Sequence, residues 1–288
     1  MIKKFSLILH FILMYFFACC TGEAAMANLS ANRINIYYEL HGQGKPLVLI
    51  AGFTCDHTFW DSIVPTLAKK YQVLVFDNRG IGQTKSENVP FTLETMADDT
   101  ITLIRTLGLK QPIIVGQSMG SAITQEIGKK YPKEIKKLIL MNTFSHLLKA
   151  PELAFTLTGE LQQLKVPISY RVQSIAPWVF SSEFLSQPNQ LKNLINLAET
   201  NPYPQTLEGY EGQLRALKKF DSRPWLSHVS LPSLIIAGEE DIIAPIAGAK
   251  EVSILLGKRA SIVTIPSGHA SPLEQPVKVI QTIVDFAG

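Results

Sequence analysis

Ser118 stands in Gly116-Gln117-Ser118-Met119-Gly120, directly after the apolar run Ile113-Ile114-Val115 and before helix-forming residues that begin Ser121-Ala122. A serine hydroxyl is a weak nucleophile at neutral pH. It needs a base within hydrogen-bond reach, and the base needs a partner that fixes its tautomer and stabilises its charge. His269, in Pro266-Ser267-Gly268-His269, and Asp241, in Gly238-Glu239-Glu240-Asp241, are the residue types required, and they follow the serine in the chain order Ser, Asp, His. The chemistry open to such a set is acyl transfer. Glu240 and Asp221 are the alternative acids.

The elements that must position these groups are legible around them. An apolar strand, a sharp turn and a helix place one serine at a strained corner, and Gly116 and Gly120 are expected to remove side-chain collisions across the bend. The helix N-terminus behind the serine favours negative charge, so the N–H of Met119 is placed to help hold an oxyanion. Asp241 follows the apolar run Leu234-Ile235-Ile236-Ala237, and His269 follows a strand pattern at 260–265. In open parallel sheets the C-terminal strand ends form the ligand crevice, so the three side chains are predicted to converge there.

Along the chain, residues 33–39 alternate as a half-buried strand, and 46–50 and 72–76 are continuous apolar runs expected in a central sheet. A helix with Trp60 on its inner face is predicted over 57–69, and another over 92–107, ended by Gly108. A strand follows at 135–141, and alternating strands and helices specify a parallel sheet with right-handed crossovers. Between 143 and 221 helical patterns are divided by prolines at 151, 167, 177, 188, 202 and 204, which reads as an inserted helical cap, with Trp178, Phe180, Phe184 and Tyr203 as its aromatics. Sheet patterns return at 231–238, and a last helix is expected from 272 to 286. The organisation predicted is a core of 28–142 and 222–288 interrupted by a cap of 143–221.

These residues resemble the α/β-hydrolase superfamily from about Asn32 to the C-terminus: Ala51-Gly52-Phe53-Thr54, Asp77-x-Arg79-Gly80-x-Gly82, the Gly116 to Gly120 turn, Gly238-x-x-Asp241 and Gly268-His269. Within it, the chain is similar to small capped esterases, enol-lactonases and cofactor-free haloperoxidase-like enzymes. The resemblance implies an α/β fold with a mostly parallel eight-stranded sheet flanked by helices and a helical cap. It implies Ser118 as nucleophile, His269 as base and Asp241 as orienting acid, with the N–H groups of Phe53 and Met119 as oxyanion hole. Phe53, Phe144, His146 and Trp178 are the expected substrate-binding side chains, and His57 is a further candidate for the pocket wall. The chain departs from the family pattern at Ala51, where His is frequent, and at Thr84, where Ser is commoner; Ala51 is expected to alter loop packing only. The implied reaction is hydrolysis of a carboxylic ester carrying a hydrophobic group, with lactones and thioesters open. Carbon–carbon bond hydrolysis or perhydrolysis in the same site, and a non-catalytic binding role, are the alternatives. Serine at the bend argues against the dehalogenase pattern, which has Asp there.

The 288 residues carry a net charge of +3 with basic residues scattered, which excludes a nucleic-acid protein. No His, Cys and carboxylate cluster has metal spacing and no Gly-x-Gly-x-x-Gly follows a strand, so neither a metal nor a nucleotide cofactor is expected. Asp77, Arg79 and Asp98 read as structural, His41 as a turn residue and His228 as a cap or surface group. Lys3 and Lys4, the apolar stretch 5–17 and Ala25-Met26-Ala27 have the order of a bacterial-type secretory signal cleaved before Asn28. Phe16-Phe17-Ala18-Cys19 resembles a lipobox that would tether the protein to a membrane through Cys19, whereas a start at Met26 would give a cytoplasmic protein. Beyond residue 27 only Cys55 remains, which leaves the compartment open.

Overall fold

Period-two alternation decides which layer each strand residue enters. In β3 (Lys45–Ile50), Leu47 and Leu49 join one core while Val48 and Ile50 join the other. The same division runs through β4 (Tyr71–Phe76), β5 (Ile113–Gln117), β6 (Lys137–Met141) and β7 (Ser233–Gly238). Each is apolar on both faces because helices cover both, as a parallel sheet demands. The computed structural model describes residues 25–32, 34–85 and 90–288.

The strand order is β1-β2-β4-β3-β5-β6-β7-β8, with β1 (Ala25–Ala31) and β2 (Ile34–His41) antiparallel and the pairs from β3 and β4 to β8 (Ala260–Ile265) parallel. One face is covered by α2 (Leu93–Thr106) and α3 (Met119–Lys130), the other by Trp60, the short α1 (Val64–Leu67) and the C-terminal helix. Thr92 caps α2 through its hydroxyl, which accepts from Thr95 N at 3.1 Å.

Two predicted helices are broken. Residues 57–69 form a 3-10 turn (His57–Trp60) and then α1, with Pro65 inside the first turn of α1. The final helix divides into two, Ser271–Glu274 and Pro276–Ala287; Pro276 disfavours the helical region for Gln275, which sits at φ −134° and ψ 53°. β1 was absent from the sequence reading, and it runs across the boundary expected between residues 27 and 28. The signal core, the lipobox and Cys19 lie outside the described residues.

Between β6 and β7 the chain forms α4 (Lys149–Gln163), α5 (Ile168–Val179), α6 (Ser182–Ser186), α7 (Gln190–Thr200) and α8 (Leu207–Lys218). The stretch is tied to the sheet domain at close range. A Cβ on Gly209 of α8 would lie 2.1 Å from the Gly80 carbonyl oxygen, so two backbones touch where side chains would separate them. The glycine pair therefore sets the distance between α8 and the 77–84 loop.

Candidate active site

Ser118 joins β5 to α3 at φ 54° and ψ −118°, a conformation that side chains rarely adopt. Tight packing holds it there. A Cβ on Gly116 would lie 2.1 Å from the Gly120 carbonyl oxygen, which is the collision expected across the bend. Gly120 is needed for a different reason: its Cβ would stand 2.0 Å from the carbonyl oxygen of Ile50, at the end of β3. The serine N–H donates to Met141 O at 2.9 Å, and the serine carbonyl accepts from Ser121 N at 2.9 Å.

The three side chains nominated from the sequence meet at the C-terminal strand ends. His269 Nε2 lies 2.7 Å from Ser118 Oγ, and Nδ1 lies 2.8 Å from Asp241 Oδ2. With Nδ1–H donating to the carboxylate, Nε2 is left to accept the serine O–H. Asp241 is itself held firmly: Oδ1 accepts from Ile243 N at 2.9 Å and Ala244 N at 2.8 Å, and Oδ2 accepts from Asn142 Nδ2 at 2.9 Å. All three groups are buried. Glu240 instead accepts from Ser182 N, and Asp221 pairs with Arg223.

Gly238 and Gly268 permit the approach of the loops. A Cβ on Gly238 would stand 2.3 Å from Gly268 O, and one on Gly268 would stand 2.7 Å from Ser181 N. The role of Gly268 is thus space beside the inserted helices. His269 N donates to Val179 O at 2.7 Å, and Gln117 Nε2 donates to His269 O at 2.8 Å, so the histidine backbone is clamped from both sides.

Ser118 and His269 lie in a cavity of about 150 Å³ whose wall is mainly Phe53, Phe155, Ile175, Val179, Tyr210 and Ile243. The Phe53 ring meets Tyr210 at 4.7 Å and Phe155 at 5.2 Å between centroids. Cys55 also faces the cavity; burial, with the negative charge of Asp56 added, pushes its thiol up to about 12. Met119, as the first residue of α3, has an N–H with no helical acceptor behind it.

Of the expected substrate-binding side chains, only Phe53 lines this cavity. Phe144 and His146 face a separate groove with Pro245 and Glu251, and Trp178 packs against the core. His57 also faces elsewhere. Its Nδ1 donates to Asp77 Oδ1 at 2.7 Å, and its Nε2 lies 3.3 Å from Glu39 Oε1. Burial works against its charged form, but the hydrogen bond and charge of Asp77, with Glu39 behind them, raise its pKa above the ordinary value.

Asp56, His57 and Asp77 do bring ligand-type atoms within 4.8 Å of one another, a grouping invisible in sequence spacing. Asp77 is already committed to N–H donors, however. Oδ1 accepts from His57 N and Nδ1, and Oδ2 from Gln83 N at 2.7 Å. The group ties loops together, whereas Arg79 nearby ties its loop to α2 through a buried two-bond pair with Asp99 at 2.9 and 2.7 Å. Asp98 is engaged instead by Lys130 and Tyr131.

Sequence reasoning missed Asn142, Gln117 and the aliphatic and aromatic wall supplied by Phe155, Ile175, Val179 and Tyr210. Asn142 carried the one available signal, since it ends an apolar strand at a position where the fold requires φ +47°.

The sequence profile described as the alpha/beta hydrolase fold matches residues 45–276. A Mycobacterium tuberculosis protein (strain ATCC 25618 / H37Rv) provisionally named non-heme bromoperoxidase BpoC is 30% identical over 257 residues, covering 88% of this chain and 97% of that one. Among solved structures, an esterase from Thermogutta terrifontis is 25% identical with a TM-score of 0.80, covering 92% of this chain and 98% of that one. The enol-lactonase from Burkholderia xenovorans LB400, at 23% identity, shares the fold with a TM-score of 0.81, over 91% of this chain and 99% of that one. Strand order, the strained serine turn and the matched span together make this chain a member of the alpha/beta hydrolase fold family.

Proposed function

We propose that the protein is a serine hydrolase of carboxylic esters that works through an acyl-enzyme on Ser118. The observation that carries this reading is the unbroken hydrogen-bond chain from Ser118 Oγ through His269 to Asp241, opening on an apolar cavity. Ser118 Oγ attacks the ester carbonyl as its proton passes to His269 Nε2, and Asp241 stabilises the imidazolium. The N–H groups of Phe53 and Met119 receive the negative oxygen of the tetrahedral intermediate. His269 then protonates the leaving alcohol. In the second half it removes a proton from water, which releases the acid and restores Ser118.

The inserted helices act as a cap, since α4, α5 and α8 supply Phe155, Ile175 and Tyr210 to the cavity wall. The similarity to a protein named as a bromoperoxidase favours a second reaction of the same acyl-enzyme. Hydrogen peroxide in place of water would yield a peracid able to oxidise bromide. Residues 1–27 are proposed as an export signal, with a lipid on Cys19 as the tethered form.

Fluorophosphonate labelling of wild type beside Ser118→Ala, followed by turnover of p-nitrophenyl esters, tests the main reading. Labelling lost in the variant together with ester turnover supports it; a folded wild type that neither labels nor turns over refutes it. Bromination of monochlorodimedone with peroxide and acetate tests the second reaction. Mass spectrometry of the N-terminus from soluble and membrane fractions decides the fate of the leader.

A further inference from the structure

The segment that carries Phe53 is a tight turn closed by a hydrogen bond from Cys55 N to Gly52 O at 3.3 Å. Phe53 and Thr54 are its central residues. Thr54 has φ +65° while Phe53 has negative φ, the pattern of a type II turn. Glycine or asparagine is the usual occupant of that third position, and a β-branched residue there is an outlier. Types I and II differ in the orientation of the central peptide, here the one joining Phe53 C=O to Thr54 N–H. A free turn with threonine at this place would rotate that peptide and return Thr54 to negative φ.

One side chain opposes the rotation. Thr54 N donates to Gln213 Oε1 at 3.3 Å. Gln213 lies on α8 and is fully buried. Its Nε2 donates to Arg79 O at 2.9 Å, and because a carbonyl can only accept, the amide oxygen must face Thr54. Gln205 Nε2 donates to the same oxygen at 3.0 Å. The Gly209 and Gly80 contact fixes α8 against the 77–84 loop, and Tyr210, three residues before Gln213, seats the Phe53 ring. One helix of the inserted segment therefore holds the turn at both of its central residues.

We propose that Gln213 is a positioning residue: by holding the Thr54 N–H it locks the peptide that follows Phe53, and together with Tyr210 against the Phe53 ring it fixes the whole residue, so that the Phe53 N–H on the preceding peptide stays in place for the reacting oxygen. This inference rests on the acyl-transfer reading above, in which Phe53 is an oxyanion donor. Because that donor acts on the transition state more than on the bound ester, the effect falls on kcat rather than KM.

The experiment compares Gln213→Met, of nearly equal length, in the wild-type and Thr54→Gly backgrounds, with p-nitrophenyl butyrate as substrate and Tm as the check of folding. In the wild-type background kcat falls about ten- to a hundredfold, at or below the loss typical of a deleted oxyanion donor, and KM stays within about threefold. In the Thr54→Gly background, where glycine holds a type II turn unaided, the loss from Gln213→Met shrinks below about threefold. An unchanged kcat, or the same loss in both backgrounds, overturns the proposal. Should Gln213→Met fail to fold, Thr54→Pro reads the same contact from the exposed partner, because proline has no N–H and cannot reach positive φ; retention of kcat there also overturns it. Ser118→Ala, assayed in parallel, separates the two levels. Turnover persisting in that variant would remove the acyl-transfer reading and this inference with it, whereas an inactive Ser118→Ala beside an unaffected Gln213→Met would remove this inference alone.

Discussion

The cavity volume translates into a limit on acyl length. A space of about 150 Å³ is the size of an apolar cavity that accommodates benzene, which is about six carbons. Each methylene moved from water into such a site contributes about 0.8 kcal/mol, close to a fourfold gain in kcat/KM. From acetate to hexanoate four methylenes are added, so kcat/KM for p-nitrophenyl esters is expected to rise by about 3 kcal/mol in transition-state binding, roughly 200-fold. Beyond about six carbons the Phe155 and Tyr210 rings close the space, and the rise stops and reverses. Phe155→Leu removes three ring carbons from that wall, and the optimum is expected to move outward by about one to two carbons, with about a fourfold gain for each newly accepted methylene. The assay is initial-rate hydrolysis from C2 to C12 at substrate concentrations below micelle formation, with thermal melts to check folding. A kcat/KM that climbs steadily through dodecanoate, or an optimum unmoved by Phe155→Leu in a folded variant, would refute the reasoning from cavity size.

Other outcomes follow from packing and charge. Arg79→Met leaves Asp99 buried without its partner and is expected to lower unfolding stability by about 3–5 kcal/mol in urea titration, with most of the loss recovered in Arg79→Met/Asp99→Leu. His57 has a raised folded-state pKa, so the stability it contributes is fully present below its ordinary value of 6.5 and is lost as pH rises through the folded value. The unfolding free energy of wild type relative to His57→Gln should therefore shrink with rising pH; a constant or growing difference contradicts the assignment. Gly116→Ala, whose Cβ meets backbone at 2.1 Å, should lose about 3 kcal/mol or more, while Gly108→Ala, at φ +68° with nothing within 4 Å, should lose only about 1–2 kcal/mol.

The residues nominated as nucleophile, base and acid lie in local signals, because each follows an apolar strand run and carries its own turn glycine. Gly116 announces a close approach across the bend, whereas the approach at Gly238, to Gly268 O, emerges only in the fold. The candidates for the pocket wall were not legible in the same way. Phe144, His146 and Trp178 have the right residue types, the first two near the expected start of the inserted segment and Trp178 well within it, yet they face a separate groove or the core. Which face of an inserted helix looks inward depends on how that helix packs against its neighbours, and helical periodicity alone leaves the choice open.

The division between sequence and structure therefore follows range. Short-range determinants, namely strand alternation, the Gly-x-Ser-x-Gly turn and the apolar strand run before each of Ser118, Asp241 and His269, were set by the chain itself, since backbone sterics and strand-to-helix connections act within a few residues. Only the tertiary structure brought Gln213 to Thr54, 159 residues apart, or Asn142 to Asp241, 99 apart. Those contacts depend on the packing of α8 through the Gly209 and Gly80 pair and on the parallel register of β6 and β7. A hydrogen bond between distant positions leaves no periodicity in a single sequence, because its geometry exists only after the layers have closed.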